Sequence, residues 1–457
     1  MRYLRMMEEV WGSASVVGEP VDYVLPDELE LQSLWYAGAM GRDFSTVDGR
    51  QVRIVQFGEW NRGAGPDFHH AVIAVDGKEH AGAVELDPHA ADWENHGHGA
   101  NADYRNVVLH VSFTHTEREY FIRTDEHKAV MQVVVPTAVW QAAFALPKRA
   151  VAMAVPGRCV KPLQGMSEVA VADLLREAAE HRGRLKARNF LLTAEAHGRD
   201  EALFQAVAVA LGYRSNALAM RLLAQRSPLR MMKEAGSAVE AILFGMAGFL
   251  SADQHERASG ETREYLRGLW EDWWKWRGVF LSKREMPWVM RGQRPANHPH
   301  RRVAALAAIA SQWAGFRRVA MARPFSAKRV VAFLEDLRHP FWNGHLTLAA
   351  APTAAPVALF GKSHALEFIA NFLAPLAMQE DGNFSYETFL RIKSTTRNEK
   401  LRRCAIRLFG SEAAAAPWMK SIAHQQALLQ LYHDFCLEDT SDCERCPFPE
   451  QLTQWTV

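Results

Sequence analysis

The chain has 457 residues, 48% hydrophobic and 23% charged, with 53 Lys and Arg against 52 Asp and Glu. At roughly 150 residues per domain this predicts two or three globular domains, and it excludes wholesale disorder and any partner selected by net charge alone. No apolar run reaches the ~18 residues of a spanning helix, Glu8 and Glu9 cut short any signal-peptide core, and five cysteines are too few for a secreted disulfide framework, so a cytoplasmic protein without membrane attachment is expected.

In chain order, the first pattern is a helix over 28–35, with Leu31, Leu34 and Trp35 on one face. From residue 51 to about 136 short β-like runs follow. Val52, Ile54 and Gln56 alternate with Arg53, Val55 and Phe57, and further runs cover 70–75, 83–86, 106–113, 120–123 and 129–135. Asp76-Gly77 between two of them predicts a tight hairpin, because both residues tolerate positive φ. From about 167 the period becomes helical: Val171, Leu174, Leu175 and Ala178 form a buried stripe, and 202–211, 238–250, 302–313 and 425–435 read alike. A Pro/Gly-containing break at 147–165 and an aperiodic Ala/Pro/Thr loop at 349–356 predict units at 1–150, 160–350 and 357–457. The fold class expected is α+β or α/β: a mixed-sheet domain in front and a large all-α part behind.

Charge is balanced globally but not locally. Between Asp76 and Asp103 stand seven acids and one base, Lys78, and eight of the 19 histidines lie between His69 and His115. Carboxylates and imidazoles this dense repel or ionise awkwardly unless a cation or a wet cleft relieves them. Taken singly, these histidines also fit a solvated loop region, and His110, on an apolar run, fits a hydrogen-bonded core histidine.

The order is helix, strand, Pro66-Asp67 opening a second strand, then Glu85-Leu86-Asp87 closing a third, then a crossover to a fourth strand over 107–111. This resembles the core of the PD-(D/E)-X-K nuclease superfamily, over about residues 28–113. The resemblance implies a restriction-endonuclease-like mixed sheet and a nuclease (hydrolase) in which Asp67 and Glu85 hold Mg²⁺ or Mn²⁺. The Leu86 carbonyl would assist, and Glu30 on the first helix would orient a metal-bound water. Such an ion relieves charge developing on phosphate oxygens and lowers the pKa of a bound water. Where the superfamily carries lysine, this chain has Asp87. Either Asp87 is a third ligand, or His89, His96 or His98 takes the lysine's role, or the site is inactive. In the last case a non-catalytic nucleic-acid-binding or scaffold protein is the alternative.

A second constellation is Asp92-Trp93-Glu94-Asn95-His96-Gly97-His98, followed by Asp103 and His110. His96 and His98 with Asp103 and His110 have the residue types of a cupin-like histidine–metal enzyme gripping Zn²⁺, Mn²⁺ or Fe²⁺. That reading needs a barrel of strands, which the long helical part does not supply.

The segments Gly65-Pro66-Asp67-Phe68, Gly82-Ala83-Val84-Glu85 and Asp92-Trp93 with His96 and His98, together with 104–111, 241–248 and Arg294-Pro295-Ala296-Asn297-His298-Pro299 with Arg302, resemble a large bacterial family known only as a domain of unknown function. It implies one protein across both halves and brings no activity.

Compensating positive charge lies behind. Residues 283–302 hold Lys283, Arg284, Arg291, Arg294, Arg301 and Arg302, and 391–407 hold seven bases. Arg291, Arg294 and Arg302 are candidate phosphate contacts, and Trp288, Trp313 and Trp342 candidate base stackers, for a nucleic-acid partner, DNA rather than RNA. Solvated helix faces and core tryptophans are the plainer readings.

Cys436-X₆-Cys443-X₂-Cys446 before Pro447 resembles the first three cysteines of the iron–sulfur loop of the endonuclease III and adenine glycosylase group, whose fourth would fall at Leu452. Cys404 or Cys159 closing an iron–sulfur set, or His433 completing a Cys₃His zinc site, are the alternatives.

Overall fold

The period-two alternation at the front of the chain becomes one curled, mixed, seven-stranded sheet. It is described here from a computed structural model covering residues 2–13, 25–26, 28–61, 65–114, 120–144, 161–258, 260–280, 286–291, 293–394, 399–436 and 447–455. The strands are β1 (Asp43–Ser45), β2 (Gln51–Gln56), β3 (Glu59–Trp60), β4 (Phe68–Val75), β5 (Lys78–Leu86), β6 (Val107–Ser112) and β7 (Met131–Val134), in the order β1-β2-β4-β5-β6-β7 with β3 paired to β4. The pairs from β1 to β5 are antiparallel; β5–β6 and β6–β7 are parallel. Asp76 (φ +49°) and Gly77 (φ +82°) form the expected left-handed turn between β4 and β5. The run at 120–123 contributes only a bridge from Arg123 to Ala129.

Helices α1 (Arg2–Ser13), α2 (Glu28–Tyr36), α3 (Asp92–Asn95) and α4 (Thr137–Phe144) are followed by the long helical part, which opens with α5 (Glu168–His197), α6 (Arg199–Gly212) and α7 (Ala217–Arg226). Leu31, Leu34 and Trp35 of α2, Trp140 of α4 and Leu222 of α7 cover one sheet face, packing on Ile54, Ile73, Val84, Leu86, Leu109 and Val111. Each side chain so buried contributes roughly 1.5–3 kcal/mol relative to exposure. The opposite face carries a smaller cluster of Ala83, Trp93, Tyr104, Val107, Ile122 and Val130.

Two packing relationships run across the expected boundaries. Helix α1 does not join the sheet: Tyr3 and Met6 pack with Leu174 and Leu175 of α5 and with Leu401, Leu428, Leu431 and Phe448 near the other end of the chain, and the Tyr3 hydroxyl donates to Asp434 Oδ2 at 2.7 Å. The 349–356 loop carries no helix or strand, but one apolar core continues across it from Trp342 to Leu359 and Phe360. The break expected at 147–165 falls largely on 145–160, outside the described residues.

Candidate metal centre

Because β4 and β5 are antiparallel with Phe68 opposite Val84, Asp67 arrives beside Glu85 at the end of β5. The Asp67 backbone N–H donates to Glu85 Oε2 at 2.8 Å. The Asp67 carboxylate turns to donors of its own: Oδ2 accepts from Leu86 N–H (3.1 Å) and from Gln32 Nε2 (2.7 Å), and Gln32 also donates to Glu28 Oε1 (2.8 Å).

Asp87 follows β5, its N–H donating to Val111 O at 3.0 Å. Three imidazoles surround its carboxylate. His110 Nε2 is 3.0 Å and His98 Nε2 3.9 Å from Oδ2, while His96 Nδ1 is 3.2 Å from Oδ1. His98 Nε2 is also 3.3 Å from Glu85 Oε1. Asp67, Glu85 and Asp87 are 3%, 3% and 1% exposed; the His96 side chain, at 48%, is the open member.

The crossover over 88–106 sets the ring positions. Gly97, at φ +74°, makes the left-handed turn that brings both flanking histidines round to Asp87, a conformation a side chain would strain. Tyr104 stacks on His98 (ring centroids 4.1 Å apart, 22° between planes), and buried Trp93 meets His98 and His110 edge-on at 5.4 Å. Trp93 Nε1 is itself held by the Arg123 carbonyl at 3.2 Å.

One ligand atom each from Asp87, His96 and His98 lie within 4.8 Å of one another. Two imidazoles and a carboxylate suit a first-row transition ion such as Zn²⁺, Mn²⁺ or Fe²⁺ better than Mg²⁺, which prefers oxygens throughout. Dry carboxylates at Glu85 and Asp87, with Asp67 beside them, repel one another, and a divalent cation offsets that repulsion.

A family described as a protein of unknown function, DUF2851, matches residues 28–400, from the start of α2 through the sheet, the site and most of the helical part. The chain belongs to the DUF2851 family. No curated protein and no solved structure matches it. No helix among the described residues is long and apolar enough to cross a membrane.

Within the DUF2851 span, the fold brings Glu85, Asp87, His96, His98 and His110 together, with Trp93 packed against them. Asp67 stands beside the cluster as a brace. Half-buried Glu30 lies in the field of Arg221, and Gln32, on the same helix and fully buried, reaches the Asp67 carboxylate. Sequence reasoning missed Gln32, although a glutamine one turn after Glu28, between Leu31 and Leu34, is a polar intruder on an apolar face. His89 is exposed, with Nδ1 3.0 Å from Thr114 Oγ1, and exposed Asp103 sits on a 3-10 turn capped by Asn101; neither belongs to the Asp87–His96–His98 group.

The helical DUF2851 residues expected to meet nucleic acid fall differently. Arg302 is 5% exposed and donates to Leu359 O (2.9 Å) and Asn297 Oδ1 (2.8 Å), so it ties loops together and faces no phosphate; a buried guanidinium needs such acceptors. Trp313 and Trp342 are core residues, and Trp288 is partly buried with Nε1 donating to Ala247 O, so none is an open stacking platform. Arg291 and Arg294 are exposed, whereas Lys283, Arg284 and Arg397 lie outside the described residues. So do Cys443, Cys446 and Cys159 and the side chain of Cys436; Cys404 is buried within the helix Glu399–Phe409.

Proposed function

We propose that the chain is a divalent-metal-dependent hydrolase of nucleic-acid phosphodiesters, with the ion held by Asp87, His96 and His98 and with Glu85 beside it. The observation that carries this reading is the convergence of those ligand atoms within 4.8 Å, under a half-exposed histidine. The element order supports the nuclease-like part. Apart from the short β1 and β3, the order is helix α2, the antiparallel β2, β4 and β5, a crossover and the parallel β6, with Asp67 before one central strand and Glu85-Leu86-Asp87 closing the next.

A bound ion would supply Lewis acidity and a water of lowered pKa. The chain's own residues supply the rest. Glu85 Oε1, on the same imidazole as Asp87, would be the carboxylate oxygen that accepts a proton. Buried His110 fixes the rotation of the Asp87 carboxylate, and Tyr104 and Trp93 fix His98 and keep the inner wall dry. No lysine stands at position 87, so half-exposed His96 is the group an approaching phosphate meets.

The test is to incubate the protein with linear, nicked and single-stranded DNA and Mn²⁺, beside Glu85→Gln and Asp87→Asn. Cleavage that falls at least ~100-fold in both variants supports the reading; equal cleavage by all three overturns it. The two-His, one-carboxylate composition favours a second reading, a non-haem iron enzyme. Tightly held iron without DNA cleavage would select it.

A further inference from the structure

The sheet face that bears the metal-site cluster also carries a groove of about 1150 Å³ that the proposed chemistry does not use. Its lining holds three permanent bases, Arg50, Arg105 and Lys128, three histidines, His69, His70 and His80, and no carboxylate. The acids that pair with the bases are Asp48 with Arg50, Asp125 with Arg105 and Glu126 with Lys128; none of the three is a lining residue. Each guanidinium so held keeps further N–H donors, in a fixed orientation, for a second anion.

The backbone is bent to build this lining. Successive strand residues normally point to opposite faces. In β4 the register shifts between Phe68 and Ala71, His70 takes φ +56°, and His69 and His70 both border the groove. A β-branch-free histidine held in a left-handed conformation is a local cost that the surrounding ladder maintains. Small residues such as Ala81 and Gly82 line the groove beside Val72, Val107, Val108 and Met131, and a Cβ on Gly82 would overlap Val108 Cγ1 at 2.4 Å. The groove and the metal centre share a strand, since Ala83 lines the groove and Glu85 follows two residues later on the same face.

We propose that this groove binds a single strand of nucleic acid, its phosphates on Arg50, Arg105 and Lys128 and its bases over the three imidazoles. The donors that the ion pairs leave over on Arg50, Arg105 and Lys128 supply phosphate contacts, and the three imidazoles supply stacking that a paired, internally stacked duplex cannot use. The proposal deepens the phosphodiesterase reading by naming the form of its substrate, and it rests on that reading only for the link to cleavage.

The experiment measures binding of a labelled 12-nucleotide single-stranded DNA, the matching duplex and poly-glutamate by fluorescence anisotropy in EDTA, so that cleavage plays no part. Wild type is compared with Arg105→Gln/Lys128→Gln, with Arg50→Gln and with His80→Ala. The expected result is tightest binding of the single strand, weakened about tenfold by the double substitution, with the salt dependence reduced by about 0.7 per lost phosphate contact. His80→Ala should weaken the single strand and leave the salt dependence unchanged. Absence of binding by wild type, preference for duplex or for poly-glutamate, or equal binding by all variants overturns the proposal. If one variant misfolds by circular dichroism, the remaining ones decide. Binding without cleavage would leave the groove standing and remove the phosphodiesterase reading; cleavage with unaltered binding in every folded variant would do the reverse.

Discussion

The backbone N–H of Asp67 donates to Oε2 of Glu85 at 2.8 Å, joining two acids 18 residues apart across the β4–β5 hairpin. Asp67 thereby acts as a brace: its carboxylate gathers the Leu86 N–H and the Gln32 amide, which ties α2 to the end of β5, where Glu85 and Asp87 stand.

Gln32 therefore carries a measurable share of stability. Gln32→Leu leaves the buried Asp67 carboxylate one donor short and should cost about 1–3 kcal/mol. Urea unfolding read by circular dichroism checks it, and a midpoint unmoved by the substitution would refute the brace.

Acid should destabilise the protein from near pH 6.5 downwards. Burial pushes His300 and His364 from 6.5 to about 3, helped by His298 and Arg302 respectively, and burial also pushes His197 and His424 to about 4. All four stay neutral in the fold at pH 5, whereas the unfolded chain protonates them below about 6.5. Protons then favour unfolding, and stability falls by up to about 1.4 kcal/mol per pH unit for each group until its folded value is reached. Neither ring nitrogen of His300 has a hydrogen-bond partner among the described residues, so His300→Phe should remove one proton from this dependence at little structural cost. Guanidinium unfolding at pH 7.5 and 5.0 measures it; equal stability at the two would contradict the assignment.

The arginines of the 291–302 segment divide into two kinds. Arg301 is fully buried and donates to the carbonyls of Trp342 (3.1 Å), His345 (3.2 Å), Val357 (2.8 Å) and Ala358 (3.1 Å). Lysine cannot reproduce that fork, so Arg301→Lys should cost on the order of 3 kcal/mol. Arg291→Ala and Arg294→Ala, at exposed positions, should stay within about 0.5 kcal/mol of wild type in thermal unfolding.

The same residues explain how much was legible in the sequence. Alternation at Val52 and Ile54, the Asp76-Gly77 turn and the helical stripe at Val171 to Ala178 are local signals, and the corresponding strands, turn and helix follow them. The cluster of Glu85, Asp87, His96 and His98 was legible as a dense run of acids and histidines. That His110 would pair with Asp87 was not, because it depends on the parallel β5–β6 register, in which Glu85 lies opposite His110. Nor was the course of α1, whose Tyr3 finds Asp434 across 431 residues of chain. Arg302 misled for a general reason: a basic run has the same composition whether its guanidinia face solvent or carbonyl oxygens, and burial alone separates the two.

The convergence of Asp87, His96 and His98 on one ion is the central claim, and elemental analysis of the purified protein tests it most directly. The wild-type protein should hold about one tightly bound transition-metal ion per chain, reduced to background in His98→Ala and in Asp87→Asn while the circular dichroism spectrum is kept, and retained in Asp67→Asn. A metal-free wild-type protein that takes up no zinc, manganese or iron on dialysis, or equal metal in all four proteins, would contradict it.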